Sequence, residues 1–139
     1  MKLKLEGNCY MPGINHWLKK ASSDLKASKK LSDDEETFDC SVFHTHQCAE
    51  KALKAFIIST HQPIPKTHDL KLLLIGCAKV DQDLMLFQEK CMNLNDYGQD
   101  SRYPNDYFYV DKKKAEEAIE MAEKILITVK NKLMKAVSP

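Results

Sequence analysis

The sequence predicts an all-α fold, an up-and-down antiparallel bundle of four long helices and one shorter helix. Apolar residues recur at three- and four-residue intervals in several long segments, which is the spacing of one face of an α-helix. No segment alternates β-branched and polar residues over the length of a strand. With 139 residues and 43% hydrophobic side chains, the chain can bury one core without disulfides or a structural metal. We therefore expect a single domain over residues 1–139, with its helical core at about 14–135.

The first two helices are predicted on either side of an acidic stretch. A Pro-Gly pair precedes the first helix, which is expected over residues 14–31 because its apolar residues share one face. Five carboxylates within residues 32–39 would repel one another if packed, so this stretch is expected to be a surface turn or a helix start. The second helix is predicted from about Asp39 to Thr60. Its apolar residues cover well over half of its circumference, which is typical of the central helix of a bundle.

Three further helices are predicted after a connector that contains two prolines. The prolines within residues 61–66 end the second helix and favour an extended chain. Thr67 can cap the third helix. A fourth helix is predicted over residues 82–95, followed by an irregular segment over 96–109. The last helix is predicted from Asp111, because its apolar residues form a continuous stripe over six turns.

Charge and cysteine content restrict the classes of function. The 21 basic and 20 acidic residues leave a formal charge of +1, so any nucleotide or nucleic-acid site has to be local. The motifs of P-loop and Rossmann nucleotide sites are absent from the sequence. Five cysteines without a C-x-x-C pair predict neither a disulfide framework nor a zinc ribbon, and they fit a reducing compartment. No apolar run approaches the ~20 residues of a membrane span. We therefore expect a cytoplasmic protein without a membrane partner.

Two groups of polar residues on the second helix have both a structural and a functional interpretation. Cys40, His44 and Cys48 are four residues apart, but three ligands along one helix cannot surround a tetrahedral ion without a fourth from elsewhere. We expect no metal site and no cofactor. His46 and Glu50 lie one turn apart near the apolar sector, and a buried hydrogen-bonded pair is the favoured interpretation. The alternative is a general acid or base at a groove.

The segment 97–109 is the leading candidate for a binding loop. It holds four of the five tyrosines and the only arginine of the chain, Arg102. A guanidinium offers a planar fork for phosphate or carboxylate, where lysine offers only a point charge. Tyrosines beside it could hold a base while Arg102 holds a phosphate. Equally, the loop can fold over the end of the bundle with Arg102 paired to an aspartate, and both interpretations stay open.

Several motifs, taken in order, closely resemble those of the HEPN domain. They are WLKKA at 17–21, DL at 24–25, FH at 43–44 with Gln47, AEKALKA at 49–55, PKTHDL at 65–70, RYP at 102–104 and the long alanine-rich last helix. Order and spacing match from about residue 14 to 135. The resemblance implies a helical bundle, commonly a homodimer, that binds nucleotides or RNA. It also implies a minimal nucleotidyltransferase encoded beside the chain or fused to it, in a toxin–antitoxin system or a nucleotide-linked stress response.

The ribonuclease motif of some HEPN branches is absent from this chain. In that Arg-x(4–6)-His motif the arginine steadies a phosphate and the histidine moves a proton, whereas here all five histidines precede the single arginine. No catalytic residue is therefore assigned, and the leading hypothesis is a non-catalytic dimeric module that binds a nucleotide or a partner nucleotidyltransferase. The expected ligand-binding residues are Lys51, Lys54, Lys66, His68, Arg102 and Tyr103. The alternatives are a metal-independent ribonuclease toxin that uses Arg102 with His46 or His68, and a purely structural dimerisation domain.

Overall fold

The computed structural model describes residues 12–98 and 109–137, and within these ranges the chain is helical without a strand. Five α-helices follow one another along the described chain. They are α1 (Pro12–Leu31), α2 (Phe38–Ser59), α3 (Leu70–Ala78), α4 (Gln88–Asn95) and α5 (Lys112–Val137). Short 3-10 helices precede α2 and α4, at Glu35–Thr37 and Gln82–Phe87. The predicted all-α fold is confirmed, and none of the described helices is long and apolar enough to cross a bilayer.

The region predicted as one helix over residues 82–95 consists of two parts. The Asp81 carboxylate accepts the N–H of Asp83 at 3.1 Å, and the Asp81 carbonyl accepts the N–H of Leu84 at 3.1 Å. This second bond spans three residues, so the segment begins as the 3-10 helix Gln82–Phe87 and becomes α-helical only in α4. As a result α1, α2 and α5 are long, with 20, 22 and 26 residues, whereas α3 and α4 have nine and eight.

The third helix begins later than its sequence predicts. Asp69, not Thr67, is the N-cap of α3, because its carboxylate accepts the N–H of Lys71 at 2.9 Å. The Thr67 hydroxyl instead accepts the N–H of Asp69 at 3.1 Å. His68 therefore lies in the extended connector before α3 and not in its first turn.

The second helix is the central element of the bundle, as its broad apolar surface predicts. It packs against α1, α5, α3 and α4. Large side chains from α2, α3, α4, α5 and the 3-10 helix Gln82–Phe87 are almost completely buried in the core, and each such leucine or isoleucine stabilises the fold by about 1.5–3 kcal/mol. The largest of them are Leu53, Ile57, Leu70, Leu73, Leu74, Leu84, Leu94 and Ile125. This core fixes the position of α2 beneath the connector that carries His68.

Candidate functional site

Three titratable side chains of α2 are buried on one face of the helix. His46, Glu50 and Lys54 are 2%, 4% and 7% exposed, and they follow one another at intervals of four residues, so they lie on successive turns. Burying groups of this kind costs free energy unless each finds a partner. The hydrogen-bond partners of these three side chains therefore show whether they only stabilise the fold or also form part of a binding site.

The Glu50 carboxylate is the centre of the group. Lys54 Nζ donates to Glu50 Oε2 at 2.8 Å, and His68 Nδ1 lies 3.1 Å from both carboxylate oxygens. Lys54 Nζ also lies 5.6 Å from the centre of the Trp17 ring, close enough for a cation–π contact. Glu50 is thus held from its own helix by Lys54 and from the connector by His68.

The His68 imidazole is exposed although its partner is buried. Its side chain is 83% exposed, against 5% for Glu50. Because a carboxylate only accepts, the proton of the bond must sit on His68 Nδ1, which leaves Nε2 of the neutral ring as an acceptor facing outward. Within the described residues, the hydrogen bonds of this ring all run through Nδ1.

His46 holds the backbone of His68. Its Nε2–H donates to the His68 carbonyl at 2.9 Å, which assigns the neutral tautomer with a lone pair on Nδ1. Burial lowers the pKa of His46, so its ring is neutral near neutral pH. His46 Nδ1 lies 3.9 Å from Glu50 Oε1, too far for a hydrogen bond. The predicted His46–Glu50 pair is therefore buried and adjacent, but each member bonds to His68 instead of to the other.

A groove of about 560 Å³ opens beside this arrangement. It is lined by Phe43, His46, Gln47, His68, Asp69, Asn95 and Gly98. Asn95 joins the end of α4 to the start of α3, because its amide donates to Asp69 Oδ1 at 2.8 Å and accepts the N–H of Leu70 at 2.8 Å. The bond from Asn95 lowers the pKa of Asp69. Asp69 and Asn95 thus bond to each other in the lining of the groove, whereas the His68 imidazole is exposed and accessible to a ligand.

Gly98 closes one side of the groove and requires a glycine for a steric reason. A Cβ at this position would lie 2.7 Å from His46 Nε2 and 2.9 Å from both neighbouring ring carbons. The backbone of residue 98 therefore rests directly on the imidazole that holds His68. In the sequence, Arg102 follows Gly98 by four positions.

The predicted ligand-binding residues fall into four groups, of which Lys51 forms one by itself. Lys54 and His68 meet at Glu50, as described above. Lys66 is exposed on the connector two positions before His68. Arg102 and Tyr103 lie outside the described residues.

Lys51 belongs to a separate polar cluster that joins α2 to α1. Its Nζ donates to Asp24 Oδ2 at 2.6 Å, and His44 Nδ1 lies 2.8 Å from Asp24 Oδ1. Cys48 is buried, which raises the pKa of its thiol to about 12, whereas Cys40 is exposed. Across the described parts of the chain, no group of three or more His, Cys, Asp or Glu side chains is placed to hold a metal ion. Lys51 and His44 thus both contact Asp24 of α1, and a role of Lys51 in ligand binding stays a prediction.

Two residues of the site, Asn95 and Gly98, were not predicted from the sequence. Asn95 bonds to Asp69 across 26 positions, and nothing in the sequence marks that partnership. Gly98 could be recognised only as punctuation in an irregular segment, because its contact with His46 depends on how α4 packs on α2.

Comparison with known proteins gives two kinds of match. The family profile of the HEPN domain matches residues 14–132. Among solved structures, TT1696 from Thermus thermophilus aligns with a TM-score of 0.74 and 25% sequence identity, covering 88% of this chain and 99% of that one. ST0689, an archaeal HEPN homologue, aligns with a TM-score of 0.69 and 26% identity, covering 86% and 96% respectively. A comparison with curated proteins found no match.

Proposed function

This chain belongs to the HEPN domain family, and from that premise we propose that it is a non-catalytic module that binds a nucleotide in the groove beside His68. The observation that carries the proposal is the exposed His68 imidazole, which the buried Glu50 carboxylate holds at the edge of the groove. An exposed histidine needs no such support for folding. Glu50 holds the ring, His46 holds its backbone carbonyl and Lys54 holds Glu50, and this support for one exposed histidine favours a role in contacting a ligand.

The size and lining of the groove suit a nucleotide. Small-molecule sites commonly measure roughly 300–1,000 Å³, a range that includes this groove. Phe43 supplies an aromatic side chain of the kind on which a base stacks. His68 and the exposed Lys66 supply groups for phosphate, and Arg102 is proposed to join them because a guanidinium binds phosphate through two parallel bonds.

The proposal includes a homodimer and a partner nucleotidyltransferase, as the family resemblance implies. Exposed apolar side chains support an interface: Leu72 and Ile75 of α3 are 52% and 42% exposed, and Val80 follows them with 59%. Exposed apolar side chains favour association where they lie together, as Leu72 and Ile75 do one turn apart on α3. Sedimentation at micromolar concentration tests this part, and a monomer without self-association would contradict it.

Calorimetric titration with nucleoside mono-, di- and triphosphates tests nucleotide binding. We expect His68→Ala and Arg102→Ala each to raise Kd about tenfold or more, because each removes a hydrogen bond to a charged phosphate. His16→Ala is the matched control, since His16 is exposed on the first turns of α1 and lies outside the groove. Absence of heat with every nucleotide and the wild-type chain would overturn the proposal.

A metal-independent ribonuclease is the second candidate, and the same histidine favours it. With Nδ1–H fixed by Glu50, Nε2 of His68 is arranged as a general base would be. It would take the proton of a ribose 2′-hydroxyl, whose oxygen attacks the adjacent phosphorus while the 5′-oxygen leaves and gains a proton from solvent.

Incubation of RNA with the protein in a metal chelator separates the two candidates. If the chain is a ribonuclease, we expect cleavage by wild type and by His16→Ala, and a loss of about 100-fold or more in His68→Ala, since general base catalysis contributes at least that much. Intact RNA after incubation with wild type would exclude this second candidate and leave the binding module.

A further inference from the structure

We infer that the groove binds the phosphate of its ligand together with a proton, which His68 takes up at Nε2, and that Glu50 is the positioning residue for this step. The inference rests on the proposed function, that a nucleotide occupies the groove. The site recognises an anionic phosphoryl oxygen of the ligand, and this oxygen is held by an imidazolium that forms when the ligand binds.

The geometry fixes which ring nitrogen is available. Glu50 Oε1 and Oε2 are both 3.1 Å from His68 Nδ1, so the carboxylate faces this one nitrogen. Turning the ring over would place a carbon opposite Glu50 and lose these bonds. His46 fixes the other end of the residue through the His68 carbonyl, at 2.9 Å. Ring and backbone are thus held at two points, and Nε2 remains directed outward.

The neutral ring is the wrong partner for a phosphate. Its Nε2 carries a lone pair, and a phosphate oxygen is also an acceptor, so the two repel each other. Protonation at Nε2 converts this nitrogen into a donor. The resulting imidazolium then lies between two anions, the Glu50 carboxylate and the phosphate, and both stabilise its charge. Binding therefore draws a proton from the buffer.

The titratable and charged groups around His68 come from α2 and from the chain on either side of it. On α2, Lys54 is an ammonium paired with Glu50, and burial lowers the pKa of His46 so that this ring stays neutral. Asp69 follows His68 with its pKa lowered by the bond from Asn95. Lys66 and Lys71 lie on either side of His68 in the sequence, and both are exposed.

Calorimetry in two buffers of different ionisation enthalpy tests the inference. The probe is the deoxydinucleotide d(ApA), because its phosphodiester does not titrate near neutral pH and it lacks the 2′-hydroxyl that cleavage would need. For wild type we expect net proton uptake on binding and a Kd that rises with pH, by at most about tenfold per pH unit for one bound proton. The His16→Ala control is expected to behave as wild type does.

Two variants distinguish this inference from the proposed function. His68→Gln keeps an amide donor at an exposed position, and we expect weaker binding without proton uptake or pH dependence. Glu50→Gln retains the ring but removes the carboxylate beside it, so we expect proton uptake to persist while the pH dependence moves to lower pH.

Binding by wild type without proton uptake, or equal uptake by His68→Gln, would overturn the inference and leave nucleotide binding intact. Absence of d(ApA) binding by wild type, with nucleotide binding retained, would also overturn the inference alone, whereas absence of all nucleotide binding would overturn both.

Discussion

The Glu50→Ala variant is expected to lose about 3–5 kcal/mol of unfolding free energy, because it leaves a buried ammonium without its carboxylate. Lys54 Nζ lies 2.8 Å from Glu50 Oε2, and the Lys54 side chain is only 9% exposed. A single domain typically has about 5–15 kcal/mol of stability, so this loss would be a large share of the total. Chemical denaturation followed by circular dichroism measures it.

Two comparisons show whether burial of the pair causes the loss. Removing both charges in Glu50→Ala/Lys54→Met is expected to restore much of the stability, because no unpaired charge then remains in the core. Glu123→Ala breaks the exposed ion pair between Glu123 and Lys29, in which the two side chains are 38% and 49% exposed, respectively. This substitution is expected to lower the free energy of unfolding by less than about 1 kcal/mol. Equal losses in Glu50→Ala and Glu123→Ala would contradict the buried position of Glu50.

The long helices could be predicted from the sequence because each carries a continuous apolar stripe. The wide apolar surface of α2 also indicated its central place, since a helix with neighbours on several sides needs one. Local chemistry was less decisive at the start of α3. Thr67 and Asp69 are both residue types that cap helices, and only the path of the backbone decides which of them does so. Within residues 82–95, the interval of three between Leu84 and Phe87 fits a 3-10 helix as well as an α-helix.

The candidate site could be predicted in part. The position of His46 and Glu50 on α2 placed both near the core, and His68 was among the expected ligand-binding residues. The partner that Glu50 takes could not be predicted, because His68 is 18 positions away and reaches it only once the connector folds over α2. Lys51 and Lys54 are close in sequence and have similar chemistry, yet they bond to different carboxylates, Asp24 and Glu50. Such choices depend on tertiary packing, which a periodic pattern does not contain.

The Gly98→Ala variant is expected to lose about 1–3 kcal/mol of unfolding free energy through overpacking. The added Cβ would lie 2.7 Å from His46 Nε2, so the imidazole would have to move. That movement would break the bond from His46 Nε2 to the His68 carbonyl and leave a buried donor without its acceptor, which adds to the loss. Chemical denaturation measures the change, and the calorimetric titrations above then report whether nucleotide binding weakens along with it.

Gly76→Ala provides the matched control, because the same substitution in α3 should have the opposite sign. Its Cβ would lie 3.5 Å from Ile57 Cδ1, an ordinary contact, and alanine in a helix interior is favoured over glycine by roughly 0.5–1 kcal/mol.

In the double variant His46→Ala/Gly98→Ala, the space left by the imidazole admits the new methyl group, so the combined loss should be smaller than the sum of the two single losses. A loss in Gly76→Ala as large as that in Gly98→Ala, or strict additivity in the double variant, would mean that residue 98 does not rest on His46. A loss of stability in Gly98→Ala together with a gain in Gly76→Ala would instead show that the Gly98 backbone rests on His46, the residue that bonds to the His68 carbonyl.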